Sequence, residues 1–146
     1  MKGEPIVILH VEDDQAHAEL VKRIVEDFNI ANQLVHVDDG QAALDYLYQR
    51  DTFSEPGKAP RPGLILLDLR LPKVDGLEVL KTIKADPALT RIPVVVLTTS
   101  AAEIDLHRAY DHHANSYLVK PVEFSKFIEL MKNFGFYWLA WNSYPY

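Results

Sequence analysis

A chain of 146 residues with 48% hydrophobic and 25% charged side chains has an ordinary globular composition, long enough for one substantial core and too short for two. A net charge of -6 argues against a general nucleic-acid surface, which needs a basic face to neutralise phosphates, and favours cations or basic partners. The absence of cysteine removes disulfides, thiolate metal sites and thiol nucleophiles. No apolar run reaches signal-peptide length at the start or the roughly 20 residues of a membrane span, so a cytoplasmic protein is expected, bound to neither membrane nor nucleic acid.

Five short apolar runs rich in branched residues read as strands: IVILHV (6–11), QLVHV (33–37), LILLDL (64–69), IPVVVLT (92–98) and SYLV (116–119). Between them lie amphipathic segments. The first, 15–28, sets Leu20, Val21, Ile24, Val25 and Phe28 on one helical face; others cover 40–50, 75–86 and 100–113, and a last helix starts near Glu123. Strand and helix alternate throughout, which predicts a doubly wound α/β fold with a parallel sheet, right-handed crossovers and helices on both faces. The first, third and fourth strands are nearly all apolar, as strands covered on both faces must be.

In such folds, function sits at the carboxyl ends of the strands. Glu12 and Asp13 follow the first strand, Asp68 closes the third, Thr98 ends the fourth and Lys120 follows the fifth. Any one of these alone reads as a cap or turn residue; their convergence does not. Asp68 places an ionisable group in an apolar strand, at a cost of several kcal/mol unless it is paired, and Lys120 is the available partner. The three adjacent carboxylates Glu12, Asp13 and Asp14 repel each other and call for a cation. Glu12, Asp13 and Asp68 offer the hard oxygens that Mg²⁺ takes along with phosphate oxygens, while Lys120 and the Thr98 hydroxyl can serve a phosphoryl group. Asp68 then reads as a phosphoryl-accepting nucleophile.

The stretches VEDD, LLDLRLPKVDG, VVVLTTS and SYLVKP, with 30 residues from Asp68 to Thr98 and 22 from Thr98 to Lys120, resemble the receiver domain of two-component response regulators from about Ile6 to Met131. The resemblance implies a flavodoxin-like strand order 2-1-3-4-5, Asp68 as phospho-acceptor, Glu12 and Asp13 as the acidic pair, and the backbone carbonyl of Arg70 as a further Mg²⁺ ligand. It leaves Asp14 as the cap of the first helix. It implies a switch in which Thr98 and Tyr117 couple phosphorylation to the face made by the fourth helix, fifth strand and fifth helix. Arg70 and Thr99 take the positions that tune phosphoryl lifetime, and Lys120-Pro121 the position of a cis bond that aims the lysine. A histidine kinase is the implied partner, and no enzymatic activity is implied beyond self-phosphorylation and autodephosphorylation at Asp68. In LPKVDG, Pro72 stops the strand and Asp75-Gly76 supplies a turn and cap.

Two stretches depart from a minimal receiver. Residues 49–63, with three prolines and two glycines, form an irregular insertion loop similar to those of small regulators that serve bacterial phytochrome-type histidine kinases. The extension 132–146 is aromatic: 7 of the chain's 15 aromatics lie from Phe134 onward. Phe124, Phe127, Ile128 and Met131 suffice for the core stripe of the last helix, so Leu130 and the aromatics Tyr137, Trp138, Trp141 and Tyr144 overflow it. That overflow predicts a two-fold homodimer interface. The whole chain, 1–146, is then expected to be a single receiver domain with no effector. Among the histidines, His112 and His113 are adjacent and lack helical ligand spacing, while His10 and His36 lie in strands as structural or partner-facing residues. A haloacid-dehalogenase-like phosphatase needs a second aspartate where Arg70 stands, and a flavin-binding protein needs a Ser-, Thr- or Gly-rich loop where this chain is acidic.

Overall fold

The computed structural model describes residues 6–27, 33–99, 116–120 and 122–133. In chain order they form β1 (Val7–Val11), α1 (Gln15–Asp27), β2 (Gln33–Val37), α2 (Gly40–Leu47), a 3₁₀ turn (Asp51–Phe53), β3 (Leu64–Asp68), α3 (Gly76–Ala85), β4 (Val94–Thr98), β5 (Ser116–Val119) and a last helix, Phe124–Asn133. The five strands make one sheet in the order β2-β1-β3-β4-β5, every neighbouring pair parallel. This is the doubly wound order expected from the sequence. The predicted helix over 100–113, with His112 and His113, lies outside the described residues, as do Pro121 and the tail aromatics.

Alternation along the buried strands divides the core into two layers. Ile8, Leu64, Leu66, Val95 and Leu97 point to one face and meet Val21, Ile24 and Val25 of α1 together with Phe127 and Met131 of the last helix. Leu9, Val11, Ile65, Leu67, Val94 and Val96 point to the other and meet Ala43 and Tyr46 of α2 and Val79, Leu80 and Ile83 of α3. Strands β1, β3 and β4 are buried at every position, whereas edge strand β2 is partly exposed.

Two helix faces differ from expectation. The buried line of α1 runs through His17, Ala18, Val21, Ile24 and Val25; Leu20 is one step off it and 36% exposed, and Phe28 lies outside the described residues. In the last helix Phe127 and Met131, four residues apart, define the buried line. Ile128 and Leu130 pack against it from either side, while Phe124, at the first position, is 40% exposed. Leu130 is therefore part of the core's margin and not overflow.

Caps and close approaches set where the helices begin. Asp14 Oδ1 accepts the backbone N–H groups of Ala16 (3.0 Å) and His17 (3.4 Å), and Asp39 Oδ1 accepts that of Ala42 (2.7 Å). Asp75 stands at the cap of α3 but makes no side-chain capping bond. The turn rests on Gly76 instead: its N–H donates to the Leu69 carbonyl (3.0 Å), and a Cβ there would lie 2.1 Å from the Asp68 carbonyl oxygen. Only glycine lets the backbone pass that close. The insertion is more ordered than an irregular loop. Its 3₁₀ turn stacks Phe53 edge-on against Tyr46, the Tyr46 hydroxyl donates to the Pro60 carbonyl (2.7 Å), and Arg61 donates to the Ala88 carbonyl (2.7 Å).

Candidate functional site

At the carboxyl edge of the sheet, Glu12 directly follows β1 and Asp68 is the last residue of β3, which brings the two acids side by side because β1 and β3 are parallel neighbours. Glu12 is fully buried and Asp68 is 5% exposed, whereas Asp13 is exposed. One carboxylate oxygen from each of the three lies within 4.8 Å of the other two. Asp14 turns away to cap α1, so the acidic pair at the pocket is Glu12 and Asp13.

The Lys120 ammonium bridges the two buried acids, 2.7 Å from Glu12 Oε2 and 3.0 Å from Asp68 Oδ2. Its backbone N–H donates to the Thr98 carbonyl (2.9 Å), which ties the end of β5 to the end of β4. The Arg70 N–H donates to Asp68 Oδ1 (3.1 Å), so both oxygens of Asp68 are oriented. Thr98 is buried at the end of β4, and Thr99 is exposed and lines an adjoining cleft of about 330 Å³ with Asp14, Ala16, His17, Leu20 and Lys120. Tyr117 has its backbone on β5 opposite Val96, and its side chain lies outside the described residues.

Electrostatics divides the acids. Burial pushes the Asp68 carboxyl up, and the neighbouring Glu12 adds to it against the Arg70 N–H and Lys120, to about 6. Burial alone would also raise Glu12, but hydrogen bonds from His17 and Lys120 outweigh it and hold that carboxyl down at about 2. Lys120 is raised because its bonds to Glu12 and Asp68 outweigh its own burial. The pocket thus carries more acid than base, and its donors are hard oxygens suited to Mg²⁺ or Mn²⁺.

The sequence reading missed His17. Its Nε2 accepts the backbone N–H of Val122 (3.3 Å), so its Nδ1 carries the hydrogen donated to Glu12 Oε1 (2.7 Å). The signal was available: stepping back four residues from Val21 along the apolar line of α1 reaches position 17, one turn above the acidic pair. His36 donates from Nε2 to the Glu12 carbonyl (2.7 Å) and so is structural. His10 is fully buried in β1, its imidazole held neutral by burial at about 3.

Residues 8–132 match the family described as the response regulator receiver domain. The chain is 48% identical over 142 residues to a protein of Methanothrix harundinacea (strain 6Ac) named probable methanogenesis regulatory protein FilR2, covering 97% of this chain and 89% of that one. It is 43% identical over 141 residues to response regulator Rcp1 of Synechocystis sp. (strain ATCC 27184 / PCC 6803 / Kazusa), covering 97% and 94%. The crystal structure of the Mn²⁺-bound form of Rcp1 superposes with a TM-score of 0.77 over 92% of this chain and 95% of that one, at 44% identity. The bacteriophytochrome response regulator AtBRR superposes with a TM-score of 0.81 at 44% identity, over 93% and 96%. A match spanning both buried acids, both hydroxyl positions and the lysine, together with these relatives, means that the chain belongs to the response regulator receiver domain family of two-component signalling proteins.

Proposed function

We propose that this protein accepts a phosphoryl group on Asp68 from a histidine kinase, in a reaction that needs Mg²⁺ held by Glu12, Asp13, Asp68 and the backbone carbonyl of Arg70. The observation that carries the reading is the Lys120 ammonium lodged between the buried Glu12 and Asp68 beside an exposed Asp13. When bound, the divalent ion would neutralise charge spreading over the transferring oxygens. The chain's own residues do the rest. An Asp68 oxygen forms the new P–O bond as the donor's P–N bond breaks, the Arg70 N–H and Lys120 orient that carboxylate, and Lys120 and the Thr98 hydroxyl receive the phosphoryl oxygens. Thr98 and Tyr117 then bias the fourth helix, fifth strand and fifth helix face, with Arg70 and Thr99 setting the phosphoryl lifetime. Beyond self-phosphorylation and autodephosphorylation the protein is a cytoplasmic signalling module, and its aromatic extension (Tyr137, Trp138, Trp141, Tyr144) mates two copies.

Incubation with a small acyl phosphate and Mg²⁺ is expected to add one phosphoryl mass to the intact protein, and excess EDTA to suppress it. An adduct of equal yield in EDTA would sink the metal's role. Sedimentation of the phosphorylated protein is expected to show dimer where the unmodified protein is more monomeric, and a monomer in both states would remove the interface.

For the kinase, two relatives point in different directions. Likeness to Rcp1 and AtBRR supports a phytochrome-type kinase, while the 48% identity to FilR2 supports a kinase of methanogenesis control. We place the phytochrome-type kinase first, because the 49–63 insertion and aromatic tail resemble that group. Phosphotransfer profiling against the source organism's histidine kinases decides it: the fastest transfer is expected from a kinase with a photosensory module, and preference for one without refutes the assignment.

A further inference from the structure

We propose that His10, Glu12 and His17 form a second, buried metal site, one for a borderline transition-metal ion such as Zn²⁺ or Co²⁺, on the α1 side of β1. His10 is fully buried, and neither of its ring nitrogens has a hydrogen-bond partner among the described residues. Buried polar groups are almost always satisfied, so an orphaned imidazole inside the protein calls for an occupant. Its Nε2 lies 3.8 Å from Glu12 Oε1, the same oxygen that His17 Nδ1 meets at 2.7 Å. One donor atom from each of the three residues lies within 4.8 Å of the other two.

A tetrahedral ion with bonds of about 2.0 to 2.2 Å holds its ligand atoms roughly 3.3 Å apart. The His10 contact must therefore close by about half an ångström and the His17 contact open by about as much, within reach of side-chain adjustment. Two imidazoles and one carboxylate suit Zn²⁺ or Co²⁺, whereas Mg²⁺ prefers oxygen throughout. The outer contacts are in place: the Val122 N–H on His17 Nε2 fixes that ring with Nδ1 toward Glu12, and His36 braces the Glu12 carbonyl. Ligation replaces the hydrogen on His17 Nδ1, which leaves as a proton to solvent. The cleft that His17 lines with Asp14, Ala16, Leu20, Thr99 and Lys120 is the entry route. Only Oε1 of Glu12 is used, so Oε2 stays with Lys120 and the acidic pocket. The two sites share one carboxylate without sharing a position.

Titration of the full chain with Co²⁺ tests this. One equivalent is expected to give visible d–d bands of a low-coordinate nitrogen-containing site, retained in excess Mg²⁺ and lost in both His10→Leu and His17→Gln. Bands displaced by Mg²⁺ would place the ion in the acidic pocket. Bands unchanged in His10→Leu would place it on other histidines. Either outcome, or the absence of bands, overturns the proposal. His10→Leu swaps an unpaired imidazole for an apolar side chain and is expected to fold; should it not, the His17→Gln comparison decides. The Mg²⁺-dependent phosphoryl adduct depends on Asp68 and not on His10, so failure of this site and failure of the phosphorylation reading are read separately.

Discussion

Asp68→Asn is expected to abolish the phosphoryl adduct and, in the same molecule, to stabilise the metal-free fold at neutral pH. Asparagine has no nucleophilic carboxylate, so intact mass should show no addition under conditions that fully modify the parent. The stability effect follows from the raised pKa. Asp68 titrates near 6 in the fold against 3.8 for the free side chain, so its contribution is present below about pH 4 and is lost as pH rises through about 6. Glu12 runs the other way: held at about 2, it contributes above about pH 4.5 and loses that contribution as pH falls through 2. In EDTA the parent should therefore be most stable near pH 4 and decline toward pH 7 by on the order of 2 kcal/mol. The variant keeps an oxygen for the Arg70 N–H and drops the charge, so over that interval its curve should not decline and, with Glu12 still in place, should rise slightly. Denaturant melts at several pH values in EDTA measure this. Parallel curves for parent and variant would mean that Asp68 carries no strain.

Lys120→Ala is expected to cost about 3 to 5 kcal/mol in metal-free protein at pH 8, because it strands two buried carboxylates without their shared cation. The loss should shrink toward pH 5, where Asp68 can take up a proton and remove one of the charges. Added Mg²⁺ should recover part of it by supplying positive charge to the same oxygens. Combining Lys120→Ala with Asp68→Asn should also recover a large share, since the repulsion needs both acids. Full additivity of the two substitutions would show that the lysine acts through its packing and not through the pair. Phosphoryl uptake by Lys120→Ala in Mg²⁺ should be much slower than in the parent.

The sequence by itself determined the sheet and the residue types of its rim. A strand covered on both faces must be nearly all apolar, so β1, β3 and β4 announce themselves, and an acid, a hydroxyl or a lysine at the end of such a strand stands out from it. Asp14 could be set aside as a cap through the receiver resemblance, which puts the acidic pair directly after the first strand, and the local bonds to the N–H groups two and three residues on agree with it. Tertiary structure alone decided how the charges are shared. The two oxygens of Glu12 are split between His17, five residues away on α1, and Lys120, 108 residues away after β5. The order in which strands meet brings those partners together, and no local pattern records a contact across that distance. The same holds for Leu20 and Phe124, which have core-type side chains and are left partly exposed at the margin. Periodicity says that a helix has an apolar face, but its angle to the sheet decides which residues at the margin of that face are covered.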